Sequence, residues 1–432
     1  MNTRTLSDWL SYLEQLHPSA IDMGLDRSRA VARNLGLGKP AARVVTVTGT
    51  NGKGSTCALL AALLREQGLK VGLYSSPHLL RYNERVSVNG ADATDAELCA
   101  AFAAIEAARG DISLTYFEMG TLAAFWLFER AGLDFVVLEV GLGGRLDAVN
   151  LVDADLALVT SIAVDHVEWL GNTRESVAVE KAGIFRAGKP ALCGDPAPPA
   201  VLQQQADSLS APFWQRGRDF DLQLEARHWH WQGRNAACEP LSLRELPLLD
   251  LPMQNAALAL QAYALLELPW EPERIAKALR EAKVVGRLDR RTLSWQGKSL
   301  TLLLDVGHNP HAAQYLAERL QAWGGQRTAV FGLLSDKDLP GVIEPLLGGI
   351  SQWAVAPLST LRSRPAAELE TALRAQGASV IAHASIAAAL EAQCAQAEAG
   401  EEILVFGSFF CVAEALEWLA RQRDANTHFN ES

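Results

Sequence analysis

Nine consecutive residues, Thr48-Gly49-Thr50-Asn51-Gly52-Lys53-Gly54-Ser55-Thr56, carry the clearest chemistry in the sequence. Glycines let the backbone curl until successive N–H groups face one point, and a helix start behind them adds partial positive charge. Lys53 can reach terminal phosphate oxygens, and the Ser55 and Thr56 hydroxyls fall where polyphosphate or its metal would lie. Gly49 has two residues before Gly52-Lys53, against four in the common P-loop. An ordinary glycine turn is the bland alternative, but the strand–loop–helix setting favours a nucleoside triphosphate. Glu139 closes the apolar run 135–138. A carboxylate there costs desolvation unless a cation pairs with it. Magnesium held between carboxylate and phosphate would supply that charge; Arg145 would be the plainer partner. Asp165-His166 ends the run LALVTSIAV, where a structural histidine is the commoner reading. Lys181 reads by default as a helix-surface lysine paired with Glu180.

These groups need elements to hold them. RVVTVTG (43–49) is a strand entering the glycine loop, and STCALLAALLREQG is the helix behind it, closed by Gly68. LKVGLYSS reads as a second strand, and Thr94-Asp95-Ala96-Glu97 as a capping box opening a helix. TYFEMGTLAAFWLFERAG is another helix, and LDFVVLEVGLGG returns as a buried strand. Residues 213–247 read as antiparallel strands, followed by helices over 253–267 and on to about 283. VVGRLDRRTLSWQGKS reads as a domain end and linker, and residues 366–400 as alanine-rich helix. From Ser299 a new strand–helix series begins: SLTLLLDV, RTAVFG, QWAVAP, EEILVFG. The fold class is therefore α/β, with a mostly parallel sheet and a small antiparallel subregion in a first domain, 1–296, and a second α/β domain, 297–432.

A chain of 432 residues has room for two or three domains. With 49% hydrophobic and 21% charged residues it can bury a large core, which excludes disorder for most of its length. Thirty-nine basic against fifty acidic residues, a formal charge of −11 and no Lys/Arg cluster exclude a general nucleic-acid binder. The six cysteines are scattered, without C-x-x-C or histidines at ligand spacing, which is reduced, cytoplasmic usage. The start, MNTRTLSDWLSYLEQL, lacks the apolar run of a leader, and no stretch reaches the roughly 18 apolar residues of a membrane span. The expectation is a cytoplasmic enzyme with no membrane partner.

TGTNGKGST, SSPHL, TYFE, LEVGLGGRLDA, DH, EKAGIF, GR and D-x-x-HNP occur in this order over roughly residues 6–415. Together they resemble the folylpolyglutamate synthase branch of the Mur-ligase-like amide ligases, in its bifunctional bacterial form. The shortened glycine loop is the form that family uses. The resemblance implies a P-loop NTPase-like first domain and a Rossmann-like second one. It implies that Thr50, Asn51, Gly52, Lys53, Gly54 and Ser55 cradle ATP, with Asn255, Arg287 and Asp305 as further contacts. Ser76, Glu139 and His166 match magnesium ligands, two ions being expected, with potassium as a helper. Lys181 matches a lysine that becomes carbamylated, so that Lys53, Glu139, His166 and Lys181 form the catalytic set. Ile21, Asp22 and Met23, then Thr115, Tyr116, Phe117 and Glu118, then Leu146, Asp147 and Ala148 match the pocket for dihydropteroate. His308 and Ser408 are candidate contacts for L-glutamate. The one departure is Gly307, where alanine is usual. The implied reaction joins L-glutamate to dihydropteroate or a tetrahydrofolate through an acyl phosphate, in a monomer. The rivals are a polyglutamylating-only enzyme, a P-loop kinase, a cell-wall ligase and a nucleotide-gated binding module.

Overall fold

A computed structural model describes residues 4–429, which divide into two compact units between Lys283 and Val284. In the first unit eight strands form one sheet: β1 (Arg43–Thr48), β2 (Val71–Tyr74), β3 (Val86–Val88), β4 (Ala91–Asp92), β5 (Phe135–Glu139), β6 (Leu156–Val159), β7 (Ala191–Cys193) and β8 (Phe213–Gln215). Their order is β4-β3-β2-β5-β1-β6-β7-β8, parallel except for the β2–β3 and β3–β4 pairs. The sequence of β5, FVVLE, is buried at every position. That is what a central parallel strand covered on both faces requires, and it explains a continuous apolar run in place of alternation. From β1 the chain crosses β5's place to reach β2, and β6 then lies on the other side of β1. The C-terminal ends of these strands therefore meet at a reversal of strand order, where open α/β sheets place ligands.

Helices cover the sheet, and their starts are written in the sequence. Thr5 with Asp8, Thr94 with Glu97 and Thr115 with Glu118 each form a capping box. Left-handed glycines at 36 and 132 end two helices. Helix Lys53–Glu66 packs on β2 and β5 and against helix Met253–Leu265. The latter is buried along almost its whole length. A second, three-stranded antiparallel sheet, β9 (Asp221–Leu224), β10 (His228–Arg234) and β11 (Pro240–Pro247), buries Trp229 and Trp231. The Trp231 indole N–H donates to the Ala257 carbonyl at 3.1 Å, tying this sheet to the buried helix.

The second unit is a six-stranded sheet: β12 (Asp289–Trp295), β13 (Lys298–Asp305), β14 (Arg327–Phe331), β15 (Ile350–Val355), β16 (Val380–Ala382) and β17 (Glu402–Phe406), ordered β12-β13-β17-β14-β15-β16. Phe331, Trp353 and Phe406 pack ring against ring at its centre, with Phe331 and Phe406 centroids 4.8 Å apart.

Three expectations need correction. Residues 287–298 are no linker: β12 pairs antiparallel with β13 through a turn at Gln296 and Gly297, both with positive φ. Two such residues suit a tight hairpin, although glutamine at the first of them hides the signal. The division accordingly falls between Lys283 and Val284, ahead of the expected 296. Phe213–Gln215 joins the large sheet parallel to β7 and takes no part in the antiparallel one. Residues 366–400 hold two helices, Ala366–Ala375 and Ile386–Gln396, with the edge strand β16 between them. Among the described residues no helix is long and apolar enough to cross a membrane, and all six cysteines are free thiols.

Candidate active site

The glycine loop leaves β1 and is fastened to the end of β6. Thr50 N–H donates to the Ser161 carbonyl at 2.9 Å and Asn51 N–H to Ser161 Oγ at 3.1 Å. Thr160 Oγ1 donates back to the Asn51 carbonyl at 2.6 Å. Gly49 cannot be replaced, because a Cβ there would meet Thr160 Oγ1 at 1.8 Å. Gly52, at φ +87°, begins helix Lys53–Glu66, and its missing Cβ leaves room for the Asn255 amide, which would otherwise lie 2.6 Å away. Asn255 is thus brought against the loop by the buried helix Met253–Leu265. Lys53 Nζ donates to the Gly49 and Thr50 carbonyls at 2.9 and 3.2 Å, so its ammonium is held over the loop. Ser55 and Thr56 are buried in the first helical turn, and the Thr56 hydroxyl has no hydrogen-bond partner.

Glu139, at the tip of β5, is buried and accepts the Ser76 N–H at 3.1 Å. Its carboxylate lies 3.5 Å from where a Cβ on Gly54 would be. Arg145, the plainer partner for Glu139 in sequence, pairs instead with Glu180 at 2.9 Å. That pairing also removes Glu180 as the expected partner of Lys181. Lys181 is only 2% exposed, and its pKa falls to about 7. Burial is the largest cause and the Lys53 charge adds to it, while Asp165 and Asp147 oppose both. His166 has a left-handed backbone, φ 51°, and its N–H donates to Asp165 Oδ1 at 2.8 Å.

Beside this loop opens a cavity of about 540 Å³. Residues 21–23, 115–118 and 146–148, three segments far apart in sequence, all line it, together with Ser76 and His166. Thr115 and Glu118 do double duty: they cap helix Tyr116–Ala131, and Glu118 also accepts from Ser28 Oγ (3.0 Å) and Arg27 Nη2 (3.2 Å). Asp22 accepts from Arg27 Nη1 at 2.7 Å and lies 3.2 Å from His17 Nε2. Asp147 is buried, takes the Leu142 and Val149 N–H groups at 2.9 Å each, and is pushed up to about 6, chiefly by desolvation. Arg27, His17 and Arg85 are the participants that sequence reasoning missed. Arg85 lies in RYNERV, a polar stretch in which nothing local signals its burial.

The remaining candidates belong to the second unit, around the ends of β13 and β17. Asp305 is buried and accepts N–H groups from Gly307 (2.8 Å) and Leu288 (3.1 Å); desolvation raises its pKa, opposed by Arg287. A Cβ at Gly307 would lie 2.8 Å from that carboxylate. Arg287 and His308 both lie near the Phe409 ring, at 5.7 and 6.0 Å. Ser408 is buried, and its Oγ accepts the Cys411 N–H at 3.0 Å.

The donor set around the loop, a carboxylate, a hydroxyl and an imidazole, suits a hard divalent cation such as Mg²⁺ or Mn²⁺. Residues 47–193 match the family described as Mur ligase middle domain, and residues 286–409 the one described as Mur ligase, glutamate ligase domain. The dihydrofolate synthase/folylpolyglutamate synthase of Escherichia coli (strain K12) is 46% identical over 420 residues, covering 97% of this chain and 96% of that one. A solved structure of E. coli FolC in complex with DHPP and ADP has a TM-score of 0.90 at 45% identity, covering 97% and 99% of the two chains. Another, of a bifunctional folylpolyglutamate synthase/dihydrofolate synthase with Mn, AMPPNP and L-glutamate bound, has a TM-score of 0.87 at 44% identity, covering 97% and 98%. Likeness of this degree over nearly the whole length means that the chain belongs to the dihydrofolate synthase/folylpolyglutamate synthase family of Mur-type ligases.

Proposed function

We propose that the chain is an ATP-dependent ligase that joins L-glutamate to 7,8-dihydropteroate, giving dihydrofolate, and to tetrahydrofolates. One observation carries this reading. Ser76 lines the cavity with its side, while its N–H holds Glu139, whose carboxylate faces the glycine loop. An acyl substrate in the cavity would therefore present its carboxylate to a nucleotide on the loop.

The substrate carboxylate attacks the γ-phosphorus of ATP, ADP departs, and an acyl phosphate forms. Lys53, already fixed over the loop, neutralises charge growing on the transferring group. Thr50, Asn51, Gly52, Gly54 and Ser55 cradle the phosphates, with Asn255 against the loop and Arg287 and Asp305 as contacts from the second unit. The amine of L-glutamate then attacks the acyl carbon and expels phosphate, leaving an amide; His308 and Ser408 are the proposed glutamate contacts. Ser76, Glu139, His166 and carbamylated Lys181 would hold Mg²⁺, in two sites, and bound there it screens phosphate charge; K⁺ is a proposed helper. Apolar walls from Met23, Phe117 and Leu146 and the acids Asp22, Glu118 and Asp147 suit a flat ring system rich in N–H donors. The enzyme is proposed to act as a cytoplasmic monomer on small molecules.

Phosphate release from ATP that requires both dihydropteroate and L-glutamate is the direct test. Elongation of tetrahydrofolate with no glutamylation of dihydropteroate would instead identify a polyglutamylating-only enzyme. A second expectation concerns the loop. Gly52→Ala forces a left-handed backbone on alanine and drives its Cβ into the Asn255 amide. The cost is about 1–2 kcal/mol of stability. The KM for ATP should rise more than about tenfold, equivalent to about 1.4 kcal/mol. Thermal melting and an ATP titration check the two effects; an unchanged KM would detach Asn255 from nucleotide binding.

A further inference from the structure

Arg85 stands in the cavity wall as a buried cation. It is the only lysine or arginine among the described residues that line the cavity. Its Nε donates to His78 Nδ1 at 2.8 Å, and its guanidinium lies 5.3 Å from the Tyr82 ring centroid and 5.4 Å from that of Tyr116. Among the described residues no carboxylate lies within ion-pair distance of it. The acid next to it in sequence, Glu84, is spent on the N–H groups of Leu79, Leu80 and Arg81. Of the four acids that line the cavity, Asp22 and Glu118 pair with Arg27, Asp147 takes backbone N–H groups, and the exposed Glu14 makes no ion pair with Arg85. His78 accepts the Arg85 N–H through Nδ1, but an imidazole carries no negative charge to pair with a guanidinium.

A buried guanidinium without a carboxylate is costly unless an anion arrives to pair with it. Two aromatic faces and one imidazole nitrogen offset part of that cost and fix the plane of the fork. The backbone places this group at the reacting end of the cavity. Ser75 N–H donates to the Arg85 carbonyl at 3.0 Å, and β2 pairs with β3 at Tyr74 and Val86, so Arg85 lies beside the strand end that delivers Ser76. We infer that Arg85 binds the carboxylate of the acyl substrate and orients it toward the nucleotide. This rests on the function proposed above and adds to it the residue that reads the substrate's negative charge.

The test is a comparison of two ligands, measured by titration calorimetry without ATP. One is dihydropteroate; the other has the same pterin and aminophenyl groups but no carboxylate. Wild-type protein should bind dihydropteroate at least tenfold more tightly than the decarboxylated compound. Arg85→Gln should shrink that preference to threefold or less while leaving affinity for the decarboxylated compound unchanged within threefold. Arg85→Lys, which keeps the charge but loses the planar fork, should fall between, and it gives the same comparison if the glutamine variant does not fold. A purely structural arginine predicts that both ligands weaken together and the preference survives, which would overturn the inference. Dihydropteroate and its decarboxylated counterpart binding equally well to wild type would overturn it alone, whereas binding of neither would overturn the proposed function with it.

Discussion

Lys53→Ala is expected to reduce ATP-dependent ligation by more than a hundredfold while leaving the fold in place. The ammonium is held at 2.9 and 3.2 Å by two loop carbonyls, so it is in position before nucleotide arrives and pays little to reorganise. A preorganised positive group of this kind is worth about 2.7–4 kcal/mol to a transition state that develops charge on oxygen. Alanine removes it without opening a core, because Lys53 begins a helix whose packing face is Leu59, Leu60, Leu63 and Leu64. Steady-state rates with dihydropteroate and glutamate, set beside thermal melting, separate the two effects. Retention of more than about a tenth of the activity, a loss under about 1.4 kcal/mol, would exclude Lys53 from the chemistry.

Lys181→Ala should impair turnover about as severely, but for a different reason. An ordinary ammonium beside a divalent metal ion would be repelled. At a pKa of about 7 a large share of Lys181 is neutral at neutral pH. A neutral amine can add to CO₂: the nitrogen bonds to carbon, one proton leaves, and a carbamate anion results. The group then attracts the cation it previously opposed. The expected outcome is a fall in kcat of more than about a hundredfold, near 2.7 kcal/mol, with the Kd for ATP changed less than threefold. Acetate or propionate should restore part of the lost activity by filling the vacated space. A solvated lysine would instead give a change within about 0.5 kcal/mol and no rescue. Electron density from a nucleotide-bound crystal decides directly, since a lysine ending in a bare ammonium away from any metal would remove this role.

What the sequence made legible was whatever is coded locally. The loop 48–56 declared itself because strand, glycines, lysine and helix are contiguous, and Glu139 because an acid ended a run of buried residues. The capping box at Thr94 was readable for the same reason. Burial imposed by distant partners was not. Lys181 follows Glu180 on a mixed polar helix, so a surface pair was the natural reading until Arg145 took Glu180. Arg85 is buried by Tyr82 from its own turn and by Tyr116 from a helix thirty residues away, a contact no window of sequence contains. The β12–β13 hairpin escaped because glutamine occupies a left-handed position usually given to asparagine or glycine. Resemblance to a family, and not periodicity, gathered residues 21–23, 115–118 and 146–148 in advance.

Glu118 bears on how an inhibitor seated in this cavity would fare under selection. The same carboxylate that forms part of the wall also takes the Thr115 N–H at 2.8 Å to start helix Tyr116–Ala131 and anchors Ser28 and Arg27 of another helix. Losing it would uncap that helix, leave the buried Ser28 hydroxyl without its acceptor and take one of two carboxylates from the half-buried Arg27, at a cost of roughly 2–4 kcal/mol. Few enzymes carry that much stability to spare. Escape from a compound that grips Glu118 is therefore closed by the demands of folding, whereas at Ile21, an exposed residue of the same wall, a substitution costs the fold little and is limited only by its effect on substrate binding. A durable ligand should lean on the first and ignore the second.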